Sequence, residues 1–226
     1  MRLPRLYPIL DAEVYARRGV DLRDAAAQMR AAGVTLVQYR DKTGSPQQIL
    51  TQARVIGEAF VGSGATLLMN DRVDLCVLAG WDGVHVGQGD LSPEDAKAVA
   101  LRTMPTLATI EPSRRWGTQG SGIVGVSTHH DAQVVAAEAS CADYVAVGPV
   151  FATGSKMNPE PVIGLEGVRR ARALTTKPIV AIGGITRENA RSVIEAGADC
   201  VAVIGALLCD DESVEQVARD FLELLR

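Results

Sequence analysis

Several short polar segments in this chain follow directly on apolar runs, and their residue types suit phosphorylated substrates. The first is Gln38-Tyr39-Arg40-Asp41-Lys42, at the end of the run Thr35–Tyr39. Side chains of an extended segment alternate between two faces, so Gln38, Arg40 and Lys42 point the same way and bring two cations and an amide into one volume. A solvated charged turn is the plainer account of so short a run taken alone. Further along, Asn70 and Asp71 follow Thr66–Met69, and Asp90 lies in the turn GQGDLSPED after Gly83–Val86. Asp71 alone reads as a helix cap and Asp90 alone as a turn residue. Together, at the ends of neighbouring strands, they make the oxygen-rich pair that Mg²⁺ accepts while keeping waters or phosphate oxygens as its other ligands. A metal beside Arg40 and Lys42 implies a polyphosphate.

The connection GPVFATGSKMNPEPVIG is about 16 residues long, more than a linking loop needs, and offers Thr153, Ser155 and Lys156 as adjacent donors. Taken alone, Lys156 is better read as a solvated lysine. Two later apolar runs end in Gly183-Gly184 and in Ile204-Gly205; glycines there can merely serve tight turns, yet bare backbone amides ahead of a helix at paired positions favour a phosphate cup. Other chemistry is missing. His85, His129 and His130 form no HExxH pair, there is no GxSxG elbow, and no cysteine has an evident base, so covalent catalysis lacks a candidate. Zinc at His129 and His130 is disfavoured because adjacent side chains do not easily share one ion, and histidine at a loop-to-helix junction is usually polar surface.

These residues need a frame that gathers them, and the sequence repeats one. AAGVTLVQYR, LAGWDGVHVG, ASCADYVAVG and EAGADCVAVIG each run from a small-residue helix end through a turn into a β-prone run. Between them lie stretches with three- and four-residue apolar spacing, such as Asp21–Arg30, Pro46–Phe60, Ala132–Ala139 and Asn189–Ala196. Strands apolar on both faces and separated by helices demand a parallel sheet covered on both sides. Eight are expected: Leu6–Leu10, Thr35–Tyr39, Thr66–Met69, Gly83–Val86, Ile123–Val126, Tyr144–Val147, Ile179–Ile182 and Cys200–Ile204. At about 28 residues per unit this is a single (β/α)₈ TIM barrel, an α/β domain over residues 1–226, whose reactive face is the carboxyl end of the strands. Ser45 with Pro46 and Gln48 predicts a capping box, and Ser92 with Pro93 and Asp95 a looser one. Pro8 suggests that the first strand begins after it, and residues 103–122, with two prolines and three glycines, read only as an irregular connection.

Composition narrows the partners. With 226 residues and 47% apolar side chains the chain can bury a full core without disulfides. The balance of 23 basic against 27 acidic side chains, with no run of like charge, gives no broad positive field for nucleic acid or anionic membrane. The longest apolar stretch, Cys200–Cys209, is far short of the roughly 20 residues that cross a bilayer. The basic start is cut off by Asp11 and Glu13 before signal-peptide length, so the expected location is cytoplasmic. Cys76, Cys141, Cys200 and Cys209 lack CxxC spacing, and three of the four fall in runs that read as buried, as reduced core thiols.

Over nearly its full length the chain resembles the thiamine phosphate synthase family, through VQYRDK, MNDRVDLCVLAGWDGVHVGQGDLSPEDA, VGVSTHH, DYVAVGPVFATGSK, PIVAIGGIT and AGADCVAVIGAL in that order. The resemblance implies coupling of a hydroxymethylpyrimidine diphosphate to a thiazole phosphate, with release of pyrophosphate. It also implies that Asp71 and Asp90 hold Mg²⁺ and that Gln38, Arg40, Lys42 and Asn70, with Tyr39 and Asp41 in the same segment, hold the diphosphate. Ser127 and Lys156 would face the pyrimidine diphosphate, and Thr153, Ser155, Gly184, Ile204 and Gly205 the thiazole phosphate; Arg40, Lys42 and Lys156 would be the catalytic cations. The family usually has serine where this chain has Gly205, which removes a hydroxyl donor. Two alternatives differ in chemistry. A thiazole tautomerase of similar sequence would use His129 as a proton shuttle but leaves the two aspartates and the cations without a task. A non-catalytic phosphate-binding barrel would keep only the glycine cup.

Overall fold

Runs apolar on both faces have one stable place, the middle of a sheet covered on two sides, and these runs occupy it. The computed structural model describes residues 2–102, 122–154 and 160–226. Its strands are β1 (Leu6–Asp11), β2 (Leu36–Arg40), β3 (Thr66–Asn70), β4 (Gly83–Val86), β5 (Ile123–Thr128), β6 (Tyr144–Val147), β7 (Ile179–Ile182) and β8 (Cys200–Val203). They pair in parallel in chain order, and β8 closes on β1 through Leu6 opposite Val201. This is the expected (β/α)₈ barrel.

Pro8 does not delay the first strand, contrary to expectation. It is the last β1 residue registered against β8, while the register against β2 starts at Ile9, so the missing N–H falls where pairing passes from one neighbour to the other. The irregular connection expected over residues 103–122 falls outside the described residues except for Gly122.

The outer layer is helical. Its members are α1 (Ala12–Arg17), α2 (Leu22–Ala32), α3 (Pro46–Ala59), α4 (Val73–Ala79), α5 (Pro93–Arg102), α6 (Asp131–Ala139), α7 (Gly164–Leu174), α8 (Ala190–Glu195) and α9 (Val214–Leu224). The predicted capping box starts α3: Ser45 Oγ accepts from the Gln48 N–H, and Gln48 Oε1 accepts from the Ser45 N–H at 2.8 Å. The looser version starts α5, where the Asp95 N–H donates to Ser92 Oγ at 3.1 Å.

Two cores result. One lies between sheet and helices and includes Val37, Tyr39, Ile56, Val147 and Phe221. The other fills the barrel with Leu36, Leu68, Val180 and Ala202, and also with Tyr7 and Tyr144. Of the four cysteines, Cys76 and Cys200 are buried and Cys141 and Cys209 only half-buried, one fewer buried than expected; all are free thiols. Burial pushes the Cys76 and Cys200 thiols well up, as befits inert core residues.

Candidate active site

Because every strand runs the same way, the last residues of the strands share one rim, and a cavity of about 460 Å³ opens there. Gln38, Arg40, Asn70, Ser127, Thr153, Gly184, Ile204 and Gly205 all line it, together with His85 and Tyr7. All eight strands thus contribute to one volume.

Arg40 enters the cavity from the end of β2 with its guanidinium on the buried Asp11 at the end of β1. Asp11 does two jobs: Oδ2 holds Arg40, while Oδ1 accepts the Val14 N–H at 3.0 Å and caps α1. A guanidinium fixed by a buried carboxylate keeps one direction, and its remaining N–H groups can face an anion.

The two aspartates converge. Asp71 is not the cap of α4, whose N-cap is Arg72 and makes no side-chain cap bond. Instead Asp71 has φ +59, a left-handed conformation that aspartate tolerates at roughly 1 kcal/mol, and this turns its carboxylate towards Lys42 and Asp90. Burial and the neighbouring Asp90 carboxylate raise the Asp71 pKa, and the Lys42 ammonium only partly offsets them. Asp90 also accepts the Gly87 N–H at 2.8 Å, so the turn role holds beside the paired one. Two facing carboxylates that repel, with Lys42 on Asp71, fit a hard divalent cation that takes its other ligands from water or phosphate. Next to them, Asn70 Nδ2 is buried without a hydrogen-bond partner among the described residues. It is a donor placed beside a region of anions and cations, and a phosphoryl oxygen would satisfy it.

Several expected site residues sit elsewhere. Tyr39 points out of the barrel, edge-on to Trp81, and donates to Asp41 at 3.1 Å. Burial pushes Asp41 up, but the N–H groups of Gly44 and Thr43 and the Tyr39 hydroxyl outweigh it, so its pKa is lowered. Both side chains shape the turn and neither faces the cavity, because the alternation that aims Gln38 and Arg40 inward aims Tyr39 outward. Lys42 lies at the rim, 46% exposed, on Asp71. Ser155 and Lys156 lie outside the described residues.

The glycine cup has a steric cause. Gly184 has φ +64, and a Cβ there would stand 2.4 Å from the Ala152 carbonyl oxygen, so the loop after β7 closes against the loop after β6 only with glycine. Its carbonyl accepts from Asn189 Nδ2 at 3.0 Å, which fixes the turn. At Gly205 a Cβ would meet nothing within 4 Å.

Sequence reasoning missed Asp11, His85, Tyr7 and Tyr144, all of which support or line the site. Asp11, the single acidic residue closing an apolar strand, carried a signal; the other three sit inside strands and read as core. His129, expected as polar surface, also lines the cavity, with Nδ1 2.8 Å from the Gly148 carbonyl.

Comparison with known proteins finds relatives over nearly the whole chain. The family model described as thiamine monophosphate synthase matches residues 6–104 and 113–207. A thiamine-phosphate synthase from Koribacter versatilis is 48% identical, covering 100% of this chain and 97% of its own, and one from Chloroflexus aurantiacus is 37% identical, covering 98% and 92%. The solved structure of a thiamine phosphate pyrophosphorylase from Pyrococcus furiosus superposes with a TM-score of 0.79 at 29% identity, over 98% of this chain and 95% of that one. The chain belongs to the thiamine monophosphate synthase family.

Proposed function

We propose that this protein is a transferase that joins a hydroxymethylpyrimidine diphosphate to a thiazole phosphate, giving thiamine phosphate and pyrophosphate. The observation that carries the proposal is the facing Asp71–Asp90 pair, with Lys42 on it and the unsatisfied Asn70 beside it, at the same rim as Arg40. Its small-molecule chemistry fits a cytoplasmic protein, and no helix among the described residues is long and apolar enough to cross a membrane.

The chemistry needs little from the protein beyond placed charge. Breaking the carbon–oxygen bond next to an electron-rich aminopyrimidine leaves a stabilised cation, and the barrier is set by charge gathering on the departing pyrophosphate. Mg²⁺ held by Asp71 and Asp90 would neutralise part of that charge. Arg40, held rigid by Asp11, takes another part, and Asn70 Nδ2 donates to a phosphoryl oxygen; one such donor is worth on the order of 3 kcal/mol in a transition state. The backbone amides around Gly184 and Gly205 hold the second phosphate so that the thiazole nitrogen faces the cationic carbon. That nitrogen attacks with its own lone pair, so no protein base is required.

The test is to mix the two phosphorylated heterocycles with the protein, with and without Mg²⁺, and to follow thiamine phosphate and pyrophosphate. Mg²⁺-dependent formation of both in equal amounts is expected. Binding of both phosphates without product would favour the non-catalytic barrel and refute the proposal.

A further inference from the structure

A continuous hydrogen-bond chain crosses the barrel interior beneath the cavity. Gln38 Nε2 donates to the Tyr7 hydroxyl at 2.7 Å, and the Tyr7 and Tyr144 hydroxyls lie 3.1 Å apart. The Tyr144 hydroxyl is 2.9 Å from His85 Nδ1, and His85 Nε2 is 2.9 Å from Ser127 Oγ. The chain thus begins and ends at residues that line the cavity, and Tyr144, fully buried, is its inner link.

The register explains how Tyr144 reaches His85 from two strands away. His85 of β4 stands opposite Gly125 of β5, and Gly125 opposite Tyr144 of β6. A Cβ at position 125 would fall 1.9 Å from Tyr144 Cζ, so the bare glycine is what lets the Tyr144 ring lie across β5 and stack on His85, with centroids 5.6 Å apart. Gly125 in this row is space made for the phenol.

The direction of the chain follows from counting hydrogens. An amide nitrogen only donates, and each phenol has a single hydrogen. Tyr7 accepts from Gln38, and if it also accepted from Tyr144 its own hydrogen would be buried with no acceptor in the chain; the arrangement that wastes no hydrogen has Tyr7 donating to Tyr144 and Tyr144 donating to His85 Nδ1. His85 must then carry its hydrogen on Nε2 and donate it to Ser127. Burial pushes the pKa of both phenols well up, so both keep their hydrogens at any working pH. Ser127, having accepted from His85, is left with its own hydroxyl hydrogen to give.

We propose that Tyr144 is a positioning residue: it locks His85 as the Nε2–H tautomer, and His85 thereby turns the Ser127 hydroxyl hydrogen into the cavity, as a donor to an anionic phosphoryl oxygen. The ligand class rests on the proposed function; the tautomer does not. Were the chain reversed, Ser127 would spend its hydrogen on His85 and offer the phosphate only a repelling lone pair. The polarity of this one hydroxyl is set from Gln38, on the other side of the barrel.

Two measurements decide it. The first is a nitrogen-detected imidazole spectrum of the ligand-free ¹⁵N-labelled protein near neutral pH, with His85 assigned in the variant carrying His129→Gln and His130→Gln. A hydrogen on Nε2 and a bare Nδ1 are expected in wild type, with the single tautomer lost in Tyr144→Phe. A hydrogen on Nδ1, or on both nitrogens, in the wild type overturns the proposal. The second is a double-mutant cycle on the binding of pyrophosphate with Mg²⁺. Tyr144→Phe should weaken binding about tenfold to a hundredfold in wild type, the size of one hydrogen bond to a charged group, and not at all in Ser127→Ala. Equal loss in both backgrounds would mean that Tyr144 acts only on packing, and the proposal fails. If the wild type binds no pyrophosphate, it is the proposed function that falls, and the tautomer still decides the relay.

Discussion

Replacing Asp11 by asparagine isolates one of its two jobs. The amide oxygen can still accept the Val14 N–H, now at 3.0 Å, so the cap of α1 survives; the other position becomes an NH₂ group facing the Arg40 guanidinium. Asp11 is 1% exposed and the Arg40 side chain 15%, so water cannot replace the lost carboxylate on the aspartate side. Removing one partner of a buried pair costs about 3 kcal/mol. In a chain of this length that lowers Tm by roughly 6–12 °C. Asp11→Ala also loses the cap and should cost about 1 kcal/mol more. The functional effect has a separate signature. With its anchor gone Arg40 samples other rotamers, so KM for the pyrimidine diphosphate should rise about tenfold while KM for the thiazole phosphate changes little. Thermal unfolding by circular dichroism and steady-state kinetics with each substrate varied in turn would check both. A Tm within a degree of wild type together with an unchanged KM for the diphosphate refutes the idea that Asp11 holds Arg40 in place.

Gly205→Ser restores a hydroxyl where a Cβ meets no atom within 4 Å, and should lower KM for the thiazole phosphate severalfold, up to about tenfold, with stability unchanged; a higher KM would show that the phosphate does not lie against this turn. Asp71→Asn and Asp90→Asn should each abolish Mg²⁺-dependent coupling, and calorimetric titration with preformed magnesium pyrophosphate should find no binding to either variant; wild-type heats would refute the metal assignment. Because burial and Asp90 already disfavour the Asp71 charge, the ligand-free Asp71→Asn protein should melt no lower than wild type, and a clear loss of stability would contradict that electrostatic account. The pH dependence carries a definite sign. The folded-state pKa of Asp71 is raised above its unfolded value, so its contribution to ligand-free stability is full below the ordinary aspartate pKa and is lost as pH rises through the folded value. Mg²⁺ needs the ionised form, so the rise in Tm on adding Mg²⁺ should grow with pH from about 4 to 7; a rise that shrinks over that range would count against Asp71 as a ligand.

The barrel was legible because its physics is local and repeated. A strand such as Tyr144–Val147, apolar on both faces and preceded by a helix end, has few other places to go, and the Ser45 box and the helix of Pro46–Ala59 follow from neighbouring residues alone. Cavity-lining residues at or just after strand ends, such as Arg40, Asn70 and Gly184, were legible because the fold dictates where strand ends gather. What could not be read depends on contacts across the barrel. The stack of His85 on Tyr144 exists because Gly125 stands between them in register, and no spacing within either segment contains that fact. Asp11 closes an ordinary strand until β2 delivers Arg40 beside it. Tyr39 and Asp41 were grouped with the site through their segment, and the alternation of the strand itself sends Tyr39 to the outer core.

The central claim is that one rim of the barrel gathers a divalent ion and fixed cations to draw off pyrophosphate. A crystal structure of the protein with Mg²⁺ and pyrophosphate tests it most directly. Mg²⁺ shared by Asp71 and Asp90, with the pyrophosphate on Arg40 and Asn70, is the predicted result. Pyrophosphate bound away from that pair, or an ion that leaves both aspartates untouched, would contradict it.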